Sequence, residues 1–175
     1  MPKDSLYFSN FTRSGLAFFQ YLTSLCSNLP IYACGHDIQT RLRTITVVRN
    51  PMDVIPSSVI NNWQYRQDAE ETMSQGEQLY VDFYKKLMNQ DNLIVIDFND
   101  LIEKPEKTFE AIHKLLDIEF VMQQRDINKT FNEGRHLHTS KTHPEYDRIK
   151  ALSDKKDYSF SLAKMNKILL RKLEV

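Results

Sequence analysis

Apolar positions along this 175-residue chain fall into two kinds of run, and each kind predicts an element. Short, nearly unbroken runs read as strands. SLYFSNF (5–11) and IYAC (31–34) predict two short ones. TITVV (44–48) is β-branched throughout, which suits a central strand buried on both faces. NLIVIDFNDL (92–101) is another near-continuous apolar strand. Longer stretches with apolar residues three and four apart read as helices. LAFFQYLTSLCSNL (16–29) is one, and it stops at Pro30. MSQGEQLYVDFYKKLMNQ (73–90) is a second, with Leu79, Phe83 and Leu87 on one face. KPEKTFEAIHKLLDI (104–118) is a third, with Phe109, Ile112, Leu115 and Leu116 inward. SFSLAKMNKILLRKLEV (159–175) predicts a closing helix capped by Ser159 or Ser161. Between these last two, from about 119 on, periodicity fades, and the polar stretch 127–157 reads as a long loop.

One junction breaks the pattern. The buried run TITVV meets Arg49-Asn50-Pro51, and a helix follows. Proline is preorganised for a first helical turn. Pro56, five residues later, is expected to end, kink or restart that helix. Strands alternating with helices predict an α/β fold with a mainly parallel sheet. Ligands of such sheets bind at the carboxyl ends of the strands. Three exits carry unusual chemistry: FTRSGL (11–16), ACGHD (33–37) and VVRNPMD (47–53). All three are expected on one edge.

Composition narrows the function. Hydrophobic residues make up 41% of the chain, enough to build a core, and the formal net charge is zero. No bulk positive field exists to hold nucleic acid, although a local basic pocket is compatible with neutrality. Two cysteines, Cys26 and Cys34, make neither a disulfide framework nor a metal set, and predict free thiols in the cytoplasm. No run of 18 apolar residues is present, so no membrane span is expected. His136, His138 and His143 crowd the polar stretch, but no cysteine or paired carboxylate completes a zinc site there.

The strand exits suit anion binding. FTRSGL, between a strand and a helix, would aim backbone N–H groups and Arg13 at one spot. It is not a Walker A loop, since GxxxxGK[ST] is absent. Arg49 offers a planar fork for phosphate, and Ser57, two helical turns on, adds a hydroxyl. His36, just past a short strand, is a candidate general base.

Together these segments resemble the sulfotransferases that use 3′-phosphoadenosine 5′-phosphosulfate, PAPS. VVRNPMDVIPSS (47–58) is similar to the family's strand running into Arg-Asn-Pro-x-Asp-Val, with a serine eight residues after the arginine. In the family those two residues hold the 3′-phosphate, so Arg49 and Ser57 take that role here. FTRSGL is similar to the family's 5′-phosphosulfate loop, Pro-Lys/Arg-Ser-Gly-Thr-Thr, and assigns Thr12, Arg13, Ser14, Gly15 and Leu16 to it. Thr12 replaces the proline, and Leu16 and Ala17 replace the threonine pair, which removes two hydroxyls. The run 92–120 is similar to a further strand and helix, with Asn99 where an acidic residue is usual. IYACGH fills the slot of the strand that carries the catalytic histidine, which points to His36. Arg135, Ser140 and Lys141 stand where a C-terminal loop brings basic residues to the 3′-phosphate; the Lys141–His143 Lys-Thr-His itself comes too late in the chain for its family role.

The resemblance implies a P-loop-type three-layer sandwich, one domain over 1–175 with its core at about 5–120. It also implies transfer of a sulfuryl group from PAPS to a hydroxyl or amine of a small-molecule or carbohydrate acceptor. Arg13 and His36 would be catalytic, and no metal is needed. The chain is short for the family, with only about thirty residues between the phosphate loop and Arg49. Two other readings stay open: a protein that binds the nucleotide without turnover, and a nucleotide kinase.

Overall fold

The computed structural model describes residues 6–9, 11, 31–33, 43–61, 69–116 and 143–175. Four strands among them form one parallel sheet: β1 (Leu6–Phe8), β2 (Ile31–Ala33), β3 (Thr44–Val48) and β4 (Leu93–Asp97), in the spatial order β2-β1-β3-β4. Phe8 pairs with Ile45, and β3 pairs with β4 over its full length, from Thr44–Leu93 to Val48–Asp97. Every residue of β3 is buried, as its β-branched sequence predicts. All the strands run parallel, so the chain leaves β1, β2 and β3 on one edge, as expected. The predicted helix at 16–29 and both cysteines lie outside the described residues.

The described helices are α1 (Pro51–Asn61), α2 (Ala69–Met88), α3 (Phe98–Glu103), α4 (Pro105–Leu116), α5 (Tyr146–Lys155) and α6 (Ser159–Leu169). α1 runs through Pro56 without interruption. The proline costs one backbone bond, to the carbonyl of Met52, and burial of Val54, Ile55, Val59 and Ile60 against the core outweighs it. α1 also packs closely on α2: a Cβ added at Gly76 would stand 3.3 Å from Ile55 Cγ2. That close approach brings the next turn of α2, with Tyr80, up to the start of α1.

Several elements depart from the pattern reading. α2 buries Met73, Tyr80, Phe83, Tyr84 and Leu87, while Leu79 is exposed. The aromatic stripe carries more area than the leucine row, so it turns inward. β4 ends at Asp97, whose carboxylate accepts from Asn99 N–H at 2.9 Å and caps α3. On α4, Phe109 and Ile112 are buried as expected, but Leu115 is exposed. α5 falls inside the stretch read as loop. It buries little beyond Ile149 and Ser153, which is why its period is faint. α6 is not capped by a serine side chain. Asp157 does that work, accepting from Ser159 N–H at 2.8 Å.

The C-terminal helices join the main core: Ile149, Tyr158 and Ile168 cluster with Val54, Ile55, Tyr84 and Val95. A polar bridge reinforces the docking, since Glu77 of α2 accepts from Ser161 at 2.6 Å and pairs with Lys156 at 3.1 Å. Beyond α6, Lys172 bridges to the outer edge of β4, and Leu173 N–H donates to Val95 at 2.8 Å. That covers part of an edge that would otherwise offer open backbone groups. Lys172 Nζ also reaches Asp100 at 2.6 Å and Asp97 at 3.6 Å.

Burial alone would push the Asp100 carboxyl up, but the hydrogen bond from Lys172 and the charges of Lys172 and Lys104 outweigh it and hold it below its ordinary value. A depressed carboxylate stabilises the fold above its unfolded pKa and loses that contribution as pH falls through the folded one. Lys172→Ala is therefore expected to lower Tm by about 2–4 °C at pH 7. The gap should close as pH drops below 3.8, the ordinary aspartate value. Thermal melts across pH 7 to 2.5 check this; a gap independent of pH would contradict it.

Candidate anion-binding site

The Arg49-Asn50-Pro51 junction has a simple local cause. Asn50 is the cap of α1: its side-chain Oδ1 accepts from Met52 N–H at 2.9 Å, and its carbonyl accepts from Asp53 and Val54 N–H, each at 3.1 Å. Pro51 takes the first helical position, where no N–H is needed. Asp53 adds a negative charge to the positive first turn. Asn-Pro-x-Asp is thus a helix-start signal, and it fixes the direction in which Arg49 leaves β3.

Three contacts hold Arg49. Its guanidinium carbon lies 4.5 Å from the centroid of the Phe98 ring, which comes from the first position of α3, just after β4. Its Nε stands 3.8 Å from Asp53 Oδ2. Its main-chain carbonyl accepts a hydrogen bond from the Tyr80 hydroxyl at 3.0 Å. The side chain is 32% exposed, yet its Nε is buried and has no hydrogen-bond partner among the described residues. The result is a cation held in place with donor capacity unspent, facing the carboxyl edge of the sheet. Asp53 is itself 59% exposed, and a pair that open is weak. A doubly charged phosphate can displace it.

Ser57 lies one helical turn beyond Asp53 on α1, and Arg49, just ahead of the helix, stands beside Asp53. Ser57 is half-buried. α5 adds a further cation on this side. Lys150 is held above the ordinary lysine value, first by its hydrogen bond to Asp154, with Asp53 contributing through space. Arg49 and Lys150 therefore share the field of Asp53. Among the described residues no group of histidines, cysteines and carboxylates is arranged to hold a metal ion.

Of the residues singled out from sequence, Arg49 and Ser57 are described, the first just before α1 and the second within it. Thr12, Arg13, Ser14, Gly15, Leu16, His36, Arg135, Ser140 and Lys141 lie outside the described residues. The strands leading to two of these segments are in place. Just past β1, Ser9 N–H donates to Ile45 at 3.0 Å, and Phe11 is buried against α2. Phe11 packs edge-on against Tyr80, centroids 5.2 Å apart, and against Phe83 at 6.0 Å. Sequence reasoning missed Phe98, Tyr80 and Lys150. Phe98 continues the apolar run of β4, Tyr80 stands next to Leu79 on a helix whose predicted face buries Phe83 and Leu87 but not Leu79, and Lys150 lies where no period shows.

Residues 41–122, a little under half of the chain, match the model of the sulfotransferase family. That span includes β3, α1, Arg49 and Ser57 and excludes 12–16 and 135–141. No curated protein matches the chain. Among solved structures, a mouse sulfotransferase, SULT7A1, crystallised in complex with PAP, superposes with a TM-score of 0.57 at 14% identity, covering 97% of this chain and 82% of that one. The fold is therefore the α/β sandwich of the sulfotransferases. The two matches support the PAPS-dependent family read from the sequence. Among the described residues no helix is long and apolar enough to cross a membrane.

The cap makes a direct prediction. Asn50→Ala removes the side-chain bond to Met52 N–H and is expected to destabilise the fold by about 1 kcal/mol. Denaturant unfolding measures this, and an unchanged midpoint would contradict the capping role.

Proposed function

We propose that this chain, a transferase by its sulfotransferase pattern and fold, carries a sulfuryl group from PAPS to a hydroxyl or amine on a small-molecule or carbohydrate acceptor. The observation that carries the reading is Arg49. Its guanidinium is stacked on Phe98 at 4.5 Å, its buried Nε has no hydrogen-bond partner among the described residues, and it stands beside Asp53, one helical turn before Ser57. An arginine fork and a hydroxyl are a donor set fitted to a terminal phosphate. When bound, PAPS supplies the sulfuryl group and leaves as 3′,5′-ADP, called PAP.

In this reading Arg49 and Ser57 hold the 3′-phosphate, and Arg135, Ser140 and Lys141 close over it. Thr12 to Leu16 take the 5′ side through backbone N–H groups, in which Arg13 stabilises charge on the oxygens around the transferring group. His36 accepts the proton of the acceptor. Positioning and charge stabilisation do most of the work, as in phosphoryl transfer, and the residues assigned need no metal. A cytoplasmic setting suits the free thiols.

A second reading rests on Leu16 and Ala17, which replace two hydroxyls in the 5′ loop. It keeps nucleotide binding and drops turnover. Incubation with PAPS and an acceptor panel separates the two, since only the enzyme releases 3′,5′-ADP.

Calorimetric titration with 3′,5′-ADP tests the site. Loss of a charge-assisted pair in Arg49→Ala is expected to raise Kd by about 10- to 100-fold. Equal binding by the variant and the wild type would overturn the assignment.

A further inference from the structure

Tyr80 sits on α2, far in sequence from both Arg49 and Phe11, and touches both. Its hydroxyl donates to the Arg49 carbonyl across 31 residues. Its ring meets Phe11 edge-on, with an interplanar angle of 75°. Phe11 is the residue immediately before Thr12, where the 5′ loop begins. Tyr84 closes the other side, at 4.6 Å and 64°. Tyr80 is fully buried, so the ring has no freedom to turn away.

The position of the hydrogen bond matters. Arg49 lies after the last residue of β3 and before the cap Asn50. Its carbonyl therefore belongs to neither the sheet ladder nor the first turn of α1, whose opening bonds go to the Asn50 carbonyl. The Tyr80 hydroxyl satisfies it. Burial, aided by the neighbouring Tyr84, pushes the Tyr80 phenol far up. It stays a neutral donor at any working pH.

We infer that Tyr80 is a positioning residue for the nucleotide, setting the backbone of Arg49 in register with the strand exit at Phe11 so that a 3′-phosphate and a 5′-phosphate on one ribose are gripped together. This rests on the nucleotide reading above. The hydroxyl acts on the 3′ half, through Arg49. The ring acts on the spacing between the halves.

Two nucleotides separate this role from simple core packing: 3′,5′-ADP carries both phosphates, and 5′-AMP lacks the one that Arg49 would hold. Tyr80→Phe keeps the ring and removes only the hydroxyl. It is expected to raise Kd for 3′,5′-ADP by about five- to tenfold, the cost of one lost hydrogen bond, and to leave 5′-AMP within twofold. In an Arg49→Ala background the same change should have no further effect. Equal losses for both nucleotides, or no loss for either, would overturn the inference. A folded-state check by thermal melt accompanies each variant. Phe11→Leu provides an independent arm that leaves the hydroxyl intact: loosening the ring is expected to weaken 3′,5′-ADP two- to fivefold, and wild-type affinity there would refute the coupling through the ring. Failure of the wild type to bind 3′,5′-ADP would sink the nucleotide reading itself, and this inference with it. Binding that Tyr80→Phe leaves untouched would sink this inference alone.

Discussion

A strand buried on both faces cannot carry charge, and that constraint organises this protein. All five residues of β3 are inside, so the first charge after Thr44 comes where the strand leaves the sheet. That residue is Arg49. An unpaired guanidinium at such an edge would swing freely in water. Here Phe98 from the neighbouring strand exit, Asp53 from the first turn of α1 and Tyr80 from α2 fix it from three sides. The two side-chain contacts are weak, and neither spends the donor capacity of the fork. The arrangement costs little to hold and leaves the cation ready for a stronger anion.

The rest of the fold supports that corner. The close approach at Gly76 lets α2 lie against α1, so that Tyr80 reaches the Arg49 carbonyl. Glu77, one residue after Gly76, is pinned by Ser161 and Lys156, which ties the C-terminal helices to the same helix. Through α5, those helices place Lys150 within electrostatic reach of Asp53. Sheet, helices and tail thus converge on the carboxyl edge, where parallel sheets bind ligands.

Much of this was legible in the sequence where a single local rule decides the outcome. TITVV, β-branched throughout, suits an interior strand and is one. Asn-Pro-x-Asp spells a capped helix start, and the parallel alternation put the strand exits on one edge. What escaped depended on tertiary competition. Leu79 and Tyr80 are adjacent, and only packing against Phe11 and Arg49 decides which turns inward. Phe98 continues an apolar run, and only the Asp97 cap shows that the strand has already stopped. α5 buries too few side chains to leave a period. Arg49 at the strand exit was visible in the sequence, but the residues that hold it were not, because each comes from a different element.

The most direct test of the central claim is a crystal structure with 3′,5′-ADP bound. The 3′-phosphate is predicted within hydrogen-bond distance of the Arg49 guanidinium and the Ser57 hydroxyl, with the Phe98 stack and the Tyr80 bond to the Arg49 carbonyl intact. A nucleotide seated elsewhere, with Arg49 still turned to Asp53 alone, would contradict it.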